Sequence, residues 1–107
     1  MDLHWNDDVT EQSYMALRAE EGDKVGDSVA FWESISEQFK DNEYVFYELY
    51  NEPHLDDLNL DDETTLDIYL NGNETYVGML EMIQAVRKHS KNQPLVIAGA
   101  KVWAFDN

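Results

Sequence analysis

The chain has no cysteine among its 107 residues. That excludes a disulfide framework, a thiolate nucleophile and thiolate zinc sites, and leaves the compartment open. Positive charge is scarce too: seven Lys and Arg stand against 23 Asp and Glu, for a formal net charge of −16. A nucleic-acid partner needs a Lys/Arg footprint that is missing here, and an anionic membrane surface is disfavoured for the same reason. No apolar run approaches the roughly 20 residues that cross a bilayer. Met1 to Asp8 lack the basic start and apolar centre of a signal peptide. There is no repeat, low-complexity tract or Pro/Gly/Ser linker, so the chain reads as one domain over residues 1–107. What is present is 43% hydrophobic and 12% aromatic, too rich for a disordered acidic tail. A core is encoded, but at this length folding buries only about 60–70% of the unfolded surface. The single-sign charge adds self-repulsion, so salt or divalent cations should favour the fold.

The pattern along the chain is strand, helix, strand, helix, strand. Asp2 to Trp5 read as the end of a strand, running into an acidic loop over 6–26. Ser28 to Lys40 form the clearest helix, with Phe31, Ile35 and Phe39 as an apolar stripe and Asp27 or Ser28 as its cap. Tyr44 to Tyr50 are apolar on both faces except at Glu48, as in a parallel strand covered on both sides. Residues 54–72 read as a long acidic loop with at most one helical turn. Tyr76, Leu80, Ile83 and Val86 mark a second helix that closes on Arg87, Lys88 and Lys91, cations suited to a helix C-terminus. Leu95 to Gly99 form the third strand. Alternation of this kind predicts an α/β fold of parallel βαβαβ units. Three such strands with two helices leave two open sheet edges and cover one face, and the first strand has only four residues where about 5–6 are usual. The expectation is a segment of a larger α/β protein, able to self-associate through its open edges.

The chemistry concentrates in Leu49-Tyr50-Asn51-Glu52-Pro53-His54, at the C-terminal end of the central strand, where α/β sheets and barrels bind ligands. Pro53 biases Glu52 toward an extended backbone, and Asn51 offers a donor and an acceptor beside it. His4 and Trp5 follow the first strand and Trp103 the third. A carboxylic acid, an amide, an imidazole and indole faces on one rim suit a sugar ring, whose apolar faces stack while its edges bind hydroxyls.

Asp2-Leu3-His4-Trp5-Asn6-Asp7, Ser28-Val29-Ala30-Phe31-Trp32, Phe39-Lys40-Asp41-Asn42 and the Asn51-Glu52-Pro53 block resemble glycoside hydrolase family 5, the cellulase-type (β/α)8 barrels. Leu70-Asn71-Gly72, Tyr76-Val77-Gly78-Met79, Ala85-Val86-Arg87 and Val102-Trp103-Ala104 continue the likeness in the same order. The resemblance implies a partial TIM barrel, strands three to five, and an extracellular enzyme that cleaves β-linked glucans such as cellulose with retention and without a cofactor. It implies Glu52 as general acid/base, Asn51 as the contact to the sugar 2-hydroxyl, His4 as a rim histidine, and Trp5 and Trp103 as sugar platforms. The family's nucleophilic Glu belongs to the seventh strand, so these 107 residues are expected to be inactive alone. The family's usual Gly-Ala before the third strand is replaced by His89-Ser90-Lys91-Asn92-Gln93-Pro94.

Plainer roles stand beside these. Glu48, in mid-strand, reads as a buried, hydrogen-bonded structural carboxylate; Trp32 as core; His54 and His89 as solvated or locally bonded. Trp5 and Trp103 serve packing as readily as sugar contact. From Asp57 the acidic stretch starts like a calcium loop, but Asp62 and Ile68 occupy the positions that require Gly and Glu, so no EF-hand and no metal site is assigned. Asn73-Glu74-Thr75 matches a glycosylation sequon. The alternative to an enzyme piece is a non-catalytic acidic module that binds glycan or a complementary chain; a purely cation-binding domain is a third reading.

Overall fold

A computed structural model describes residues 3, 15–18, 27–50 and 60–97. Its elements are α1 (Ser28–Phe39), β1 (Tyr47–Glu48), α2 (Asp62–Asn71), α3 (Met79–Arg87) and β2 (Leu95–Val96). β1 and β2 are parallel, with Tyr47 opposite Leu95 and Glu48 opposite Val96. The Tyr47 N–H donates to the Pro94 carbonyl at 3.1 Å and the Leu49 N–H to that of Val96 at 3.2 Å. Since Tyr47 and Leu49 face β2, the Glu48 carbonyl faces the other edge, and there it accepts the Leu3 N–H at 3.3 Å. The central strand thus has a backbone partner on each side, as the βαβαβ reading requires.

α1 starts where expected, with the Asp27 carboxylate accepting the Ala30 N–H at 3.0 Å. Its buried line is not the expected stripe. Ser28, Trp32 and Ser36 are fully buried, while Phe31, Ile35 and Phe39 flank them, half-buried. Two small serines let the helix approach its neighbours closely, and their hydroxyls find carbonyls: Ser28 bonds Leu17 at 2.9 Å, and Ser36 reaches Glu33 at 3.2 Å and Ala85 at 3.4 Å. The Tyr47 hydroxyl meets the Ser90 hydroxyl at 3.0 Å, which donates to the Ser36 carbonyl at 2.8 Å. These polar groups sit inside the core with their bonding capacity used, as burial demands.

The acidic stretch is more ordered than its composition suggests. Instead of a loop with one turn, Asp62–Asn71 form a ten-residue helix. Asp61 caps it by accepting the Thr64 N–H at 2.7 Å, and Asp62 and Glu63 place negative charge at its positive end. Gly72, at φ 75°, ends it. α3 starts later than expected, after Gly78, and buries Met79, Met82, Ala85 and Val86; of the expected face, Val86 holds and Leu80 is 45% exposed. Tyr76 belongs instead to an antiparallel bridge with Leu17.

Part of the expected loop at 6–26 is also anchored. Met15 and Ala16 are fully buried, the Arg18 N–H donates to the Thr75 carbonyl, and the Val77 N–H to that of Ala16. The Arg18 guanidinium grips both carboxylate oxygens of Glu81 at 2.6 and 3.0 Å and donates through Nε to the Asn73 carbonyl at 3.1 Å. The bond to Glu81 holds Arg18 above its ordinary pKa.

The turn before β2 is closed by side chains. Gln93 Nε2 lies within reach of the Phe39, Lys40 and Asn42 carbonyls, 2.8–3.3 Å away, and so seals the end of α1. Arg87 bonds the Ser90 and Gln93 carbonyls, as its place at a helix end suggested. The replaced Gly-Ala therefore leaves a turn tied by these bonds, with Gln93 Oε1 buried and without a partner among the described residues.

Candidate functional site

The site has to be built from the strand that leads to it. On its helix side β1 buries Tyr47 and continues into buried Leu49 and Tyr50. Trp32 of α1 lies under this strand, edge-on to Tyr47 with ring centres 5.7 Å apart. Its indole N–H donates to the Leu49 carbonyl at 3.1 Å, a fully buried bond. Asn51 and Glu52 are the next residues but one and but two along the chain after Leu49. His4 and Trp5 likewise come directly after Leu3, whose backbone meets Glu48.

All five proposed contact residues, Glu52, Asn51, His4, Trp5 and Trp103, lie outside the described residues, as does His54. The structure therefore shows the frame that leads to the motif. Trp32 is core, as its helical position suggested, but its bond to Leu49 had no signal in the sequence, because which side chain reaches a given carbonyl depends on the tertiary approach.

The opposite face of the strands differs from expectation. Phe46 is 54% exposed, Val96 41%, and Glu48 is half-buried, its carboxylate bonded to no described residue. Glu48 is thus less buried than its mid-strand place suggested. Tyr44, 86% exposed, belongs to the preceding turn, where its N–H meets Asn42. That face is exposed at Phe46 and Val96, whereas Tyr50, further along the chain, is fully buried.

Among the described residues no cluster of His, Asp and Glu is arranged to hold a metal ion. The acidic residues of the calcium-like stretch that are described work as helix cap and first turn: the backbone bond to Thr64 holds Asp61 below its ordinary pKa. Burial pushes the Tyr69 phenol up. Asn73 of the sequon is exposed, its Oδ1 accepting the Thr75 and Tyr76 N–H groups at 2.8 Å. No described helix is long and apolar enough to cross a membrane.

No curated protein and no solved structure matches the chain. A family model does: Cellulase (glycosyl hydrolase family 5) matches residues 1–107, from end to end. Parallel strands packed on helices, with Asn51-Glu52-Pro53 following β1 in the sequence, agree with that match, and the chain belongs to the cellulase family, glycosyl hydrolase family 5.

Proposed function

We propose that this chain carries the acid/base half of a retaining β-glycanase site, acting on β-linked glucans outside the cell. The observation that supports it is the family match over the whole chain, with Glu52 three residues beyond buried Leu49 at the end of the central parallel strand. Glu52 protonates the glycosidic oxygen as the leaving sugar departs. A second carboxylate, about 5–5.5 Å away, attacks the anomeric carbon and forms a glycosyl-enzyme. Glu52, now ionised, then takes a proton from water as that intermediate is hydrolysed. Such a group needs a raised pKa, from burial and from the neighbouring negative charge. Asn51 holds the sugar 2-hydroxyl, His4 supports the rim hydrogen bonds, and Trp5 and Trp103 stack on the sugar faces. The attacking carboxylate comes from a barrel strand beyond these three to five.

The test is hydrolysis of an aryl β-cellobioside by the 107-residue chain, with Glu52→Gln as control. No turnover from folded chain is expected. Turnover lost in Glu52→Gln would mean that the chain, or its self-assembly, supplies the nucleophile. Turnover that survives Glu52→Gln would remove Glu52 from the mechanism.

A further inference from the structure

We infer that Asn71-Gly72, where α2 ends, is a site of spontaneous modification: succinimide formation at Asn71 and hydrolysis to aspartate or isoaspartate, gated by the last turn of α2. The inference stands apart from the reading of Glu52. Asn71 is the one asparagine in the chain that a glycine follows. A glycine nitrogen is the least hindered nucleophile a backbone offers, because no Cβ stands beside it and its dihedrals are free. Asn71 is exposed and Gly72 half-exposed, so solvent reaches the pair. In the reaction the Gly72 nitrogen gives its proton to hydroxide and attacks the side-chain carbonyl carbon of Asn71. A C–N bond closes a five-membered imide, the bond to Nδ2 breaks, and that nitrogen leaves as ammonia with a proton from water. Water then opens either imide carbonyl, leaving aspartate at position 71 or, with the main chain rerouted through the side chain, isoaspartate. The sum is one water consumed and one ammonia released, with no oxidant or reductant.

The folded helix withholds both reacting groups. The Gly72 N–H is donated to the Ile68 carbonyl at 2.8 Å, which keeps the nucleophile protonated and in the helical ladder. The leaving nitrogen, Asn71 Nδ2, donates to Asp67 Oδ1 at 2.9 Å, one turn back. Just beyond, Gly72 bridges to Val77, and the Arg18 guanidinium holds the Asn73 and Tyr76 carbonyls. Reaction therefore waits for this end of α2 to open, a local event that takes less free energy than unfolding the chain. Once made, the product opposes reclosure. A carboxylate in place of the Asn71 amide faces Asp67 with like charge at four residues' spacing and sits at the negative end of the helix dipole. Isoaspartate also adds a carbon to the main chain where there is no slack. The backbone lies so near Gly78 that a Cβ there would stand 2.4 Å from the Asn71 carbonyl carbon and 2.5 Å from the Gly72 nitrogen. The pair thus acts as a latch that opens once: modification records an opening of α2 and loosens it from Gly78.

The experiment ages the 107-residue chain in mildly alkaline buffer, with and without urea, and follows Asn71 by peptide mapping and enzymatic methylation of isoaspartate. Asn73 and Asn92, followed by Glu74 and Gln93, are internal references. In urea Asn71 should react well ahead of both, and Gly72→Ala should suppress that reaction. In the folded chain Asn71 should react about tenfold more slowly than in urea. Arg18→Lys should raise the folded rate and leave the urea rate unchanged. Asn71→Asp, a mimic of one product, should speed amide exchange in Thr65 to Leu70 relative to Met82 to Val86, and Asn92→Asp, equal in charge, should not. An Asn71 no faster than Asn73 and Asn92 in urea overturns the site. A folded rate equal to the urea rate, or one that Arg18→Lys does not raise, overturns the gate. Exchange in α2 that Asn71→Asp leaves unchanged, or that Asn92→Asp alters equally, overturns the latch.

Discussion

Gly72 and Gly78 meet back to back where α2 turns into α3. A Cβ on Gly72 would lie 2.5 Å from the Tyr76 carbonyl oxygen and 2.6 Å from the Gly78 nitrogen, and its φ is already 75°. A Cβ on Gly78 would lie 2.4 Å from the Asn71 carbonyl carbon. Neither obstacle is a side chain that can swing aside. Gly72→Ala therefore combines collision with left-handed strain and should cost about 1–3 kcal/mol, read as a lowered urea midpoint, while an exposed substitution such as Glu74→Ala should leave the midpoint within error. Asp61 makes a second statement at this scale. Its folded pKa is lowered, so its contribution is present above the unfolded value of about 3.9 and is lost as pH falls through the folded one. Asp61→Asn keeps a good cap without a titrating group. The variant should lose less far-UV helix signal than the parent on acidification below about pH 4, and equal losses would mean the cap carries nothing.

Segment 15–18 is held to Glu81 of α3, and to the Asn73 and Tyr76 carbonyls before it, by a planar guanidinium that lysine cannot reproduce. Arg18→Lys should cost about 1 kcal/mol in urea unfolding, a modest figure because both partners are about a third exposed. Elements differ in how readily their sequence declares them. α1 was legible because Asp27 caps a run with clear helical spacing, yet its contact line was misplaced by one position, since a serine scores as polar even where closeness demands a small residue. α2 was hidden because its residues are mostly acidic or β-branched; the signal was the capping pattern Asp61-Asp62-Glu63-Thr64, which outweighs weak amphipathicity. Of the strand expected over Tyr44 to Tyr50, only Tyr47 and Glu48 form β1, and at Tyr44 an aromatic ring mimics a strand residue while its backbone serves a turn. Of the candidate site, the Asn51-Glu52-Pro53 motif was read from residue type and place, and it lies outside the described residues. The indole bond to Leu49 was not legible, because it joins residues 17 apart through packing.

At the scale of the whole molecule, charge and the open sheet face oppose one another. At a formal net charge of −16, copies repel, and raising salt from low to physiological should increase the thermal midpoint by screening that repulsion. Near the sequence pI of about 4.1 the repulsion is gone, and the face that exposes Phe46 and Val96 should drive association. Sedimentation velocity should show larger species there, reduced by Phe46→Ser. Association that ignores Phe46→Ser would move the contact elsewhere.

The separations that close this fold bear on how it is made. Ser36 meets Ala85 across 49 positions, Ser90 meets Ser36 across 54, and Arg18 meets Glu81 across 63. The parallel partner of Tyr47 is Leu95. Contacts this distant give little return until most of the chain exists, and folding of such topologies is slow because loop closure precedes its reward. On a ribosome, α1 would emerge with Trp32 and its neighbours uncovered and wait for Met79 to Val86 before it had a surface to pack on. The strand that leads to Asn51-Glu52-Pro53 would wait longer still, for residues 95 and 96. During synthesis the high negative charge does the work that structure cannot yet do, keeping apolar segments apart until their partners arrive.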